Sequence, residues 1–233
     1  MKTQAESACY GIKTRRLVES FLHDDSGALR GLIVLRHSAR HYDTDNPINE
    51  PFMGLTEEGK RLSFDWGKAL PPGRHLNFFS SFIGRCIETA YLMDKGYVTA
   101  GGATSHNMIE LTLSPFYVKD ALRLFDEHIK GADFLTAWFN RDVPAEIIDP
   151  PEQVAVTMQN FWEKRFSDNT LADHLDICVT HDWNLYVLQW YFLGIPSEKR
   201  EKVDYLDGLV VYKAGQHFYI AAPGHEPRKL NMR

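Results

Sequence analysis

Leu32-Ile33-Val34-Leu35-Arg36-His37-Ser38-Ala39-Arg40 joins an unbroken apolar run to a histidine set between two arginines. Four consecutive branched aliphatic residues without polar alternation read as a strand covered on both faces, the pattern of a central parallel strand. In open α/β sheets ligands bind beyond the carboxyl ends of such strands, which is where Arg36 and His37 fall. An imidazole flanked by permanent cations points to phosphate chemistry; taken alone, the same stretch also reads as a surface basic cluster.

Two further stretches repeat the geometry. Ile177-Cys178-Val179-Thr180 is a second β-rich run and ends in His181-Asp182, ahead of the helical pattern Trp183-Asn184-Leu185-Tyr186-Val187-Leu188. His75 to Ser81 carries Leu76, Phe78 and Phe79, then opens a helix at Ile83-Gly84-Arg85-Cys86-Ile87-Glu88-Thr89-Ala90, with Arg85 in its first turn. Three strand ends thus deliver two histidines, an aspartate and three arginines, and the helix starts beside them add backbone N–H groups that favour an anion.

With these stretches in order, the chain resembles the histidine phosphatase superfamily, which includes phosphoglycerate mutases and histidine acid phosphatases. Arg36-His37 followed by Arg40 is similar to the family's nucleophile motif, and Leu55-Thr56-Glu57-Glu58-Gly59 to its first helix start. Ser80-Ser81 with Arg85 and Glu88-Thr89-Ala90 is similar to its second phosphate-arginine motif, and His181-Asp182 to its late catalytic pair. The resemblance covers roughly residues 30 to 215, and four ordered motifs are far more specific than one. Two features depart from it. Ser38 stands where the family usually has glycine, which bears on backbone approach and positive-φ freedom. The histidine-aspartate pair marks the acid-phosphatase branch, yet the chain is too short for that branch's helical cap.

The chemistry follows from the residue types. A neutral imidazole can attack phosphorus and form a covalent phosphohistidine, splitting one displacement into two; His37 is the candidate nucleophile. Arg36, Arg40 and Arg85 suit the phosphate oxygens, because a guanidinium binds them bidentately and stays charged. His181, if protonated, adds a donor that strengthens as charge develops in the transition state. The leaving alkoxide needs a proton. Asp182 is the first candidate acid, and Glu110 is its rival, since the mutase-like branch takes its acid from a glutamate in a comparable place after the third strand. Either carboxylate could instead simply pair with an arginine.

Competing motifs are weaker. Cys9 and Arg15 have the spacing of cysteine-dependent phosphatases, but no apolar strand precedes Cys9. The ten histidines are scattered, with no His-x3-His or Cys-x2-Cys pair, so neither a metal nor another cofactor is expected. Cys86 and Cys178 read as small buried hydrophobes.

Composition bounds the remaining classes. A chain of 233 residues, 44% hydrophobic, is long enough to bury one substantial core. The expected organisation is a single domain over 1-233 with residues 1-30 as an N-terminal helical extension. A net charge of -5 gives no general attraction to nucleic acid or anionic membrane, so positive potential has to be local to the site. Three cysteines without a framework suggest a reducing, cytoplasmic compartment, and Glu6, Glu19, Asp24 and Asp25 argue against a transit peptide. The substrate expected is a small-molecule phosphomonoester or a phosphorylated peptide; the sequence says nothing of oligomeric state.

The predicted elements alternate. Leu17, Val18, Phe21 and Leu22 form the apolar stripe of an amphipathic helix at 12–23 docked on the core. Thr56 caps the next helix, with Glu57 and Glu58 in its first turn. Helices follow at 83–95, 116–139 and 151–167, and the helix after His181-Asp182 stops at Gly194-Ile195-Pro196. Leu209 to Lys213 and His217 to Ile220 read as a hairpin. This is an α/β chain: a three-layer α/β/α sandwich with a mainly parallel sheet and a C-terminal edge hairpin. The loop His41 to Pro47 reads either as part of the rim of the site or as a solvated loop, and Phe116 with Tyr117 either as an aromatic wall or as a core aromatic pair. Three functions fit these residues: a metal-independent phosphomonoesterase, a mutase-like phosphoryl transferase, and a non-catalytic phospholigand-binding protein.

Overall fold

The computed structural model describes residues 10–23, 30–43, 47–129, 133–168 and 174–232. Seven strands form one sheet: β1 (Gly31–Arg36), β2 (His75–Ser80), β3 (Ala103–Ile109), β4 (His174–Thr180), β5 (Gly208–Ala214), β6 (His217–Ala221) and β7 (Arg228–Leu230). Their order is β3-β2-β4-β1-β5-β6-β7. The first four run parallel, whereas β5, β6 and β7 are antiparallel to their neighbours. The hairpin is where its alternating residues place it, but β7 adds an edge strand outside it that was too short to announce itself.

β1 owes its central place to its continuous apolar run. Ile33 and Leu35 face one core, with Leu76 and Phe78 of β2 and Ile177 and Val179 of β4. Leu32 and Val34 face the other, with Phe79 and Cys178. The first core is covered by α1 (Ile12–His23), α2 (Glu57–Lys68) and α3 (Gly84–Thr99) through Val18, Phe21, Trp66, Cys86, Ala90 and Met93. The second is covered by α5 (Pro151–Ser167) and α6 (Asp182–Leu193) through Met158, Phe161, Trp162, Leu185 and Leu188. Helices therefore cover both faces, as a parallel sheet requires. α6 ends at Gly194, whose φ of 66° provides the left-handed cap expected there.

One predicted helix is broken. Residues 116–139 hold a three-residue turn at Ala121–Arg123, a π-helical turn at Leu124–Ile129 and α4 (Phe134–Phe139). The chain before them is drawn elsewhere: Val118 bridges Ile148, and Lys119 N–H donates to Ile147 O at 2.9 Å. Asp120 and Asp133 then each cap a new start, accepting from the backbone N–H of Arg123 and Thr136.

Parallel register brings three strand ends level. Arg36 on β1 pairs with Thr180 on β4, and Ser80 on β2 with Val179 on β4. β4 lies between the other two, so His181 emerges between His37 and Ser81.

Candidate active site

His37 is 2% exposed, at the first position beyond β1. Its backbone N–H donates to Thr180 O at 2.9 Å, tying the end of β1 to the end of β4. Nδ1 lies 2.8 Å from Ser38 O, and a carbonyl oxygen only accepts, so Nδ1 carries the proton. Nε2 is left with its lone pair, and it accepts from Arg85 Nε at 3.1 Å. This is the tautomer that a nucleophilic Nε2 requires.

The loop carrying His37 is fixed from behind. Thr89 Oγ1 accepts from Ser38 N–H at 3.1 Å, and Glu88 carboxylate accepts from Leu55 N–H at 3.1 Å, which gives the Glu88-Thr89-Ala90 stretch a stitching role. Thr56 caps α2 by accepting from Gly59 N–H, so α2 starts directly beneath the loop. A Cβ on Gly59 would lie 2.0 Å from Ala39 O, so only glycine admits this approach. Ser38 turns its hydroxyl away onto α2, donating to Gly59 O at 2.8 Å. Among the described residues only Arg141 and Leu206 combine a side chain with positive φ. The backbone at Ser38 therefore does not need a glycine.

The cations converge unequally. Arg85, in the first turn of α3, donates to His37 and approaches His181 Nδ1 at 3.5 Å through Nη2. Arg36 lies 4.5 Å above the Tyr205 ring, donates to Val203 O at 2.8 Å and pairs with Asp182 at 2.9 Å. Arg40 grips Glu50 with both terminal nitrogens, one of them at 2.6 Å, and stacks 3.8 Å over the Tyr42 ring. The Nε groups of Arg36 and Arg40 are buried without a protein acceptor.

His181 follows β4 and caps α6. Arginine only donates, so Nδ1 accepts from Arg85 and Nε2 donates to Ser81 Oγ at 2.9 Å. Burial, then the charges of Arg85, Arg36 and Arg40, push this imidazole well below its usual 6.5. That direction favours the neutral imidazole, whereas the donor role considered from the sequence needs the protonated one. Burial also pushes His37 well down, helped by His181, Arg85 and Arg36. Cys86 Sγ lies 3.5 Å from His181 Nε2, and burial pushes its thiol up to about 12, so it remains protonated.

The two candidate acids separate. Asp182 opens α6 with Oδ2 on Arg36 and Oδ1 accepting from Trp183 N–H at 3.0 Å. Glu110 follows β3 and caps a short turn, its Oε1 accepting from Thr112 N–H and Oγ1, both at 3.0 Å. Of the two readings of Tyr117 the core one holds: it is wholly buried, stacked on Trp138 and bonded to Asn184 at 2.7 Å. Phe116 packs edge-on against it. Of the rim loop, Tyr42 is exposed over Arg40; residues 44–46 lie outside the described residues, as does Cys9. Two participants had no motif to reveal them. Glu50 comes from the 3-10 turn Pro47–Phe52, and Tyr205, whose hydroxyl donates to Tyr42 Oη at 2.6 Å, comes from the chain ahead of β5.

No protein-family model matches the chain, and no curated protein matches it significantly. Solved structures do. Bacillus stearothermophilus YhfR superposes with a TM-score of 0.55 at 18% identity, covering 84% of this chain and 98% of that one. A mycobacterial hydrolase gives 0.55 at 15% identity, with 87% and 98% covered. A mycobacterial glucosyl-3-phosphoglycerate phosphatase gives 0.52 at 15% identity, with 87% and 98% covered. The chain shares the fold of these proteins.

Proposed function

We propose that this chain is a phosphomonoesterase that works through a phosphohistidine on His37. The observation that carries the reading is the buried His37 imidazole, with Nδ1–H committed to Ser38 O and the Nε2 lone pair facing Arg85. In the first step Nε2 attacks phosphorus as the ester P–O bond breaks, and the departing alkoxide takes a proton. In the second, water attacks the phosphohistidine, giving inorganic phosphate and restoring the neutral imidazole.

Arg85 moves its Nε–H from Nε2 to a phosphoryl oxygen as substrate enters, freeing the lone pair in the same motion. The unpartnered Nε–H groups of Arg36 and Arg40 are further donors for the phosphate. His181 acts from its neutral form and gains proton affinity once the substrate's negative charge offsets the arginines. Asp182 is the acid in this scheme. A phosphoryl group on Arg36 competes for the guanidinium that now pairs with the carboxylate, so substrate frees Asp182 to meet the leaving oxygen. Glu110, occupied by its turn, is the weaker candidate.

Covalent trapping tests the mechanism. Wild-type protein quenched during turnover of a radiolabelled phosphomonoester should carry an acid-labile label that His37→Ala abolishes. A variant that keeps both label and turnover removes His37 from the mechanism.

A further inference from the structure

Among the described residues Glu50 is the one carboxylate paired with two of the three arginines. Its carboxylate lies 2.6 Å from Arg40 Nη1 and 3.7 Å from Arg85 Nη2, and its backbone carbonyl accepts from Arg85 Nη1 at 3.0 Å. The same Arg85 donates Nε–H to the nucleophile. A guanidinium offers a carboxylate and a phosphate the same planar fork, so the two anions are rivals for one set of donors.

The carrier suits a rival better than a fixed support. Glu50 stands on the short Pro47–Phe52 turn rather than on the sheet, and its side chain is 39% exposed, whereas those of Arg40 and Arg85 are 8% and 10% exposed. The cations are held in place, and the anion lies on the solvent side. Asp182 differs: it sits in the first turn of α6 and meets Arg36 alone among the arginines.

We propose that Glu50 is an internal competitor for the phosphoryl group, a tethered carboxylate seated on Arg40 and Arg85 that substrate displaces before His37 can attack. The proposal rests on the phosphatase reading and adds to it a residue that sets phosphate affinity. Releasing Glu50 frees two guanidinium groups together, so phosphate affinity in the wild type is the difference between two anion affinities. It also explains how so cationic a basin is kept compact: every arginine in it already has a carboxylate partner.

Isothermal titration with inorganic phosphate at fixed ionic strength, on wild type and Glu50→Gln, tests this. Removing the competing charge should tighten phosphate binding about tenfold, the scale of one charge-assisted pair, and lower KM for p-nitrophenyl phosphate in the same direction. Glu50→Ala should shift both in the same sense, and thermal melts of both variants establish that they are folded. Phosphate binding that is equal or weaker in both variants overturns the competitor while leaving the phosphate site standing, because Glu50 would then be orienting the arginines. Failure of wild type and variants alike to bind phosphate overturns the site, and the competitor with it.

Discussion

Arg85 Nε donates to His37 Nε2 at 3.1 Å, so the residue that would stabilise the phosphoryl group already holds the lone pair that would attack it. One hydrogen bond therefore fixes the Nε2 lone pair of His37 on the arginine that the proposed mechanism assigns to the phosphate. Arg85→Ala should lose roughly a hundred- to a thousandfold in kcat/KM, because removing one preorganised donor to developing charge costs about 3–4 kcal/mol. Arg85→Lys should recover little, since an ammonium cannot donate to His37 and phosphate with one planar fork. A twofold loss in either variant, measured by steady-state kinetics, would place Arg85 outside the reaction.

The pH dependence follows from burial. An unperturbed histidine nucleophile would lose activity below about pH 6.5; His37, pushed well below that value, stays neutral and reactive further into acid. The acid limb of kcat/KM should lie below pH 6.5 once the substrate's own second ionisation, at about 6, is allowed for. Stability should move the opposite way. The unfolded chain protonates His37 and His181 near 6.5 while the fold keeps them neutral, so the unfolded state binds more protons. Folding stability is fully present above about pH 6.5 and declines as pH falls below it. Denaturant titrations between pH 7.5 and 5.5 would show a falling midpoint, and His181→Gln should flatten the slope; a flat wild-type profile would contradict it.

What could be read in advance was local. β1, β2 and β4 are written as short apolar runs that end in chemistry, and parallel register brings those ends together without further information, so His37, Arg36, Arg85, His181 and Asp182 were all legible. Glu50 was not. It pairs with Arg40 through a loop closing ten positions of chain, and nothing in Asn49-Glu50-Pro51 distinguishes it from a solvated turn. Tyr205 reaches Arg36 across 169 positions, a contact only the tertiary fold creates. The broken helix at 116–139 fails for a related reason: its residues have helical spacing, but Val118 and Lys119 find partners at Ile148 and Ile147, and those contacts override propensity.

Two substitutions behind the site test how the loop is held. Gly59→Ala would push a methyl to within 2.0 Å of Ala39 O and should destabilise by about 3 kcal/mol, at the upper end of overpacking. Ser38→Gly relieves nothing, since Ser38 has no positive φ, and it removes the bond to Gly59 O. A loss of about 1–2 kcal/mol is expected, from that bond and the added chain entropy. Denaturant unfolding checks both, and a stabilised Ser38→Gly would mean that the serine strains the loop.

The two acids can be separated by leaving group. Asp182 is paired with Arg36 inside the basin, and Glu110 is bonded to Thr112 at the end of β3. If Asp182 protonates the departing oxygen, Asp182→Asn should slow alkyl phosphates severely, because an alkoxide cannot leave without a proton. It should spare activated aryl phosphates, whose phenolate departs unaided. The expected contrast is on the order of a hundredfold or more, within the range of general-acid contributions. Glu110→Gln should show a small, uniform effect, since it loses only the cap of a short turn. A uniform loss in Asp182→Asn would instead assign the carboxylate to orienting Arg36, and a leaving-group contrast confined to Glu110→Gln would move the acid to the end of β3.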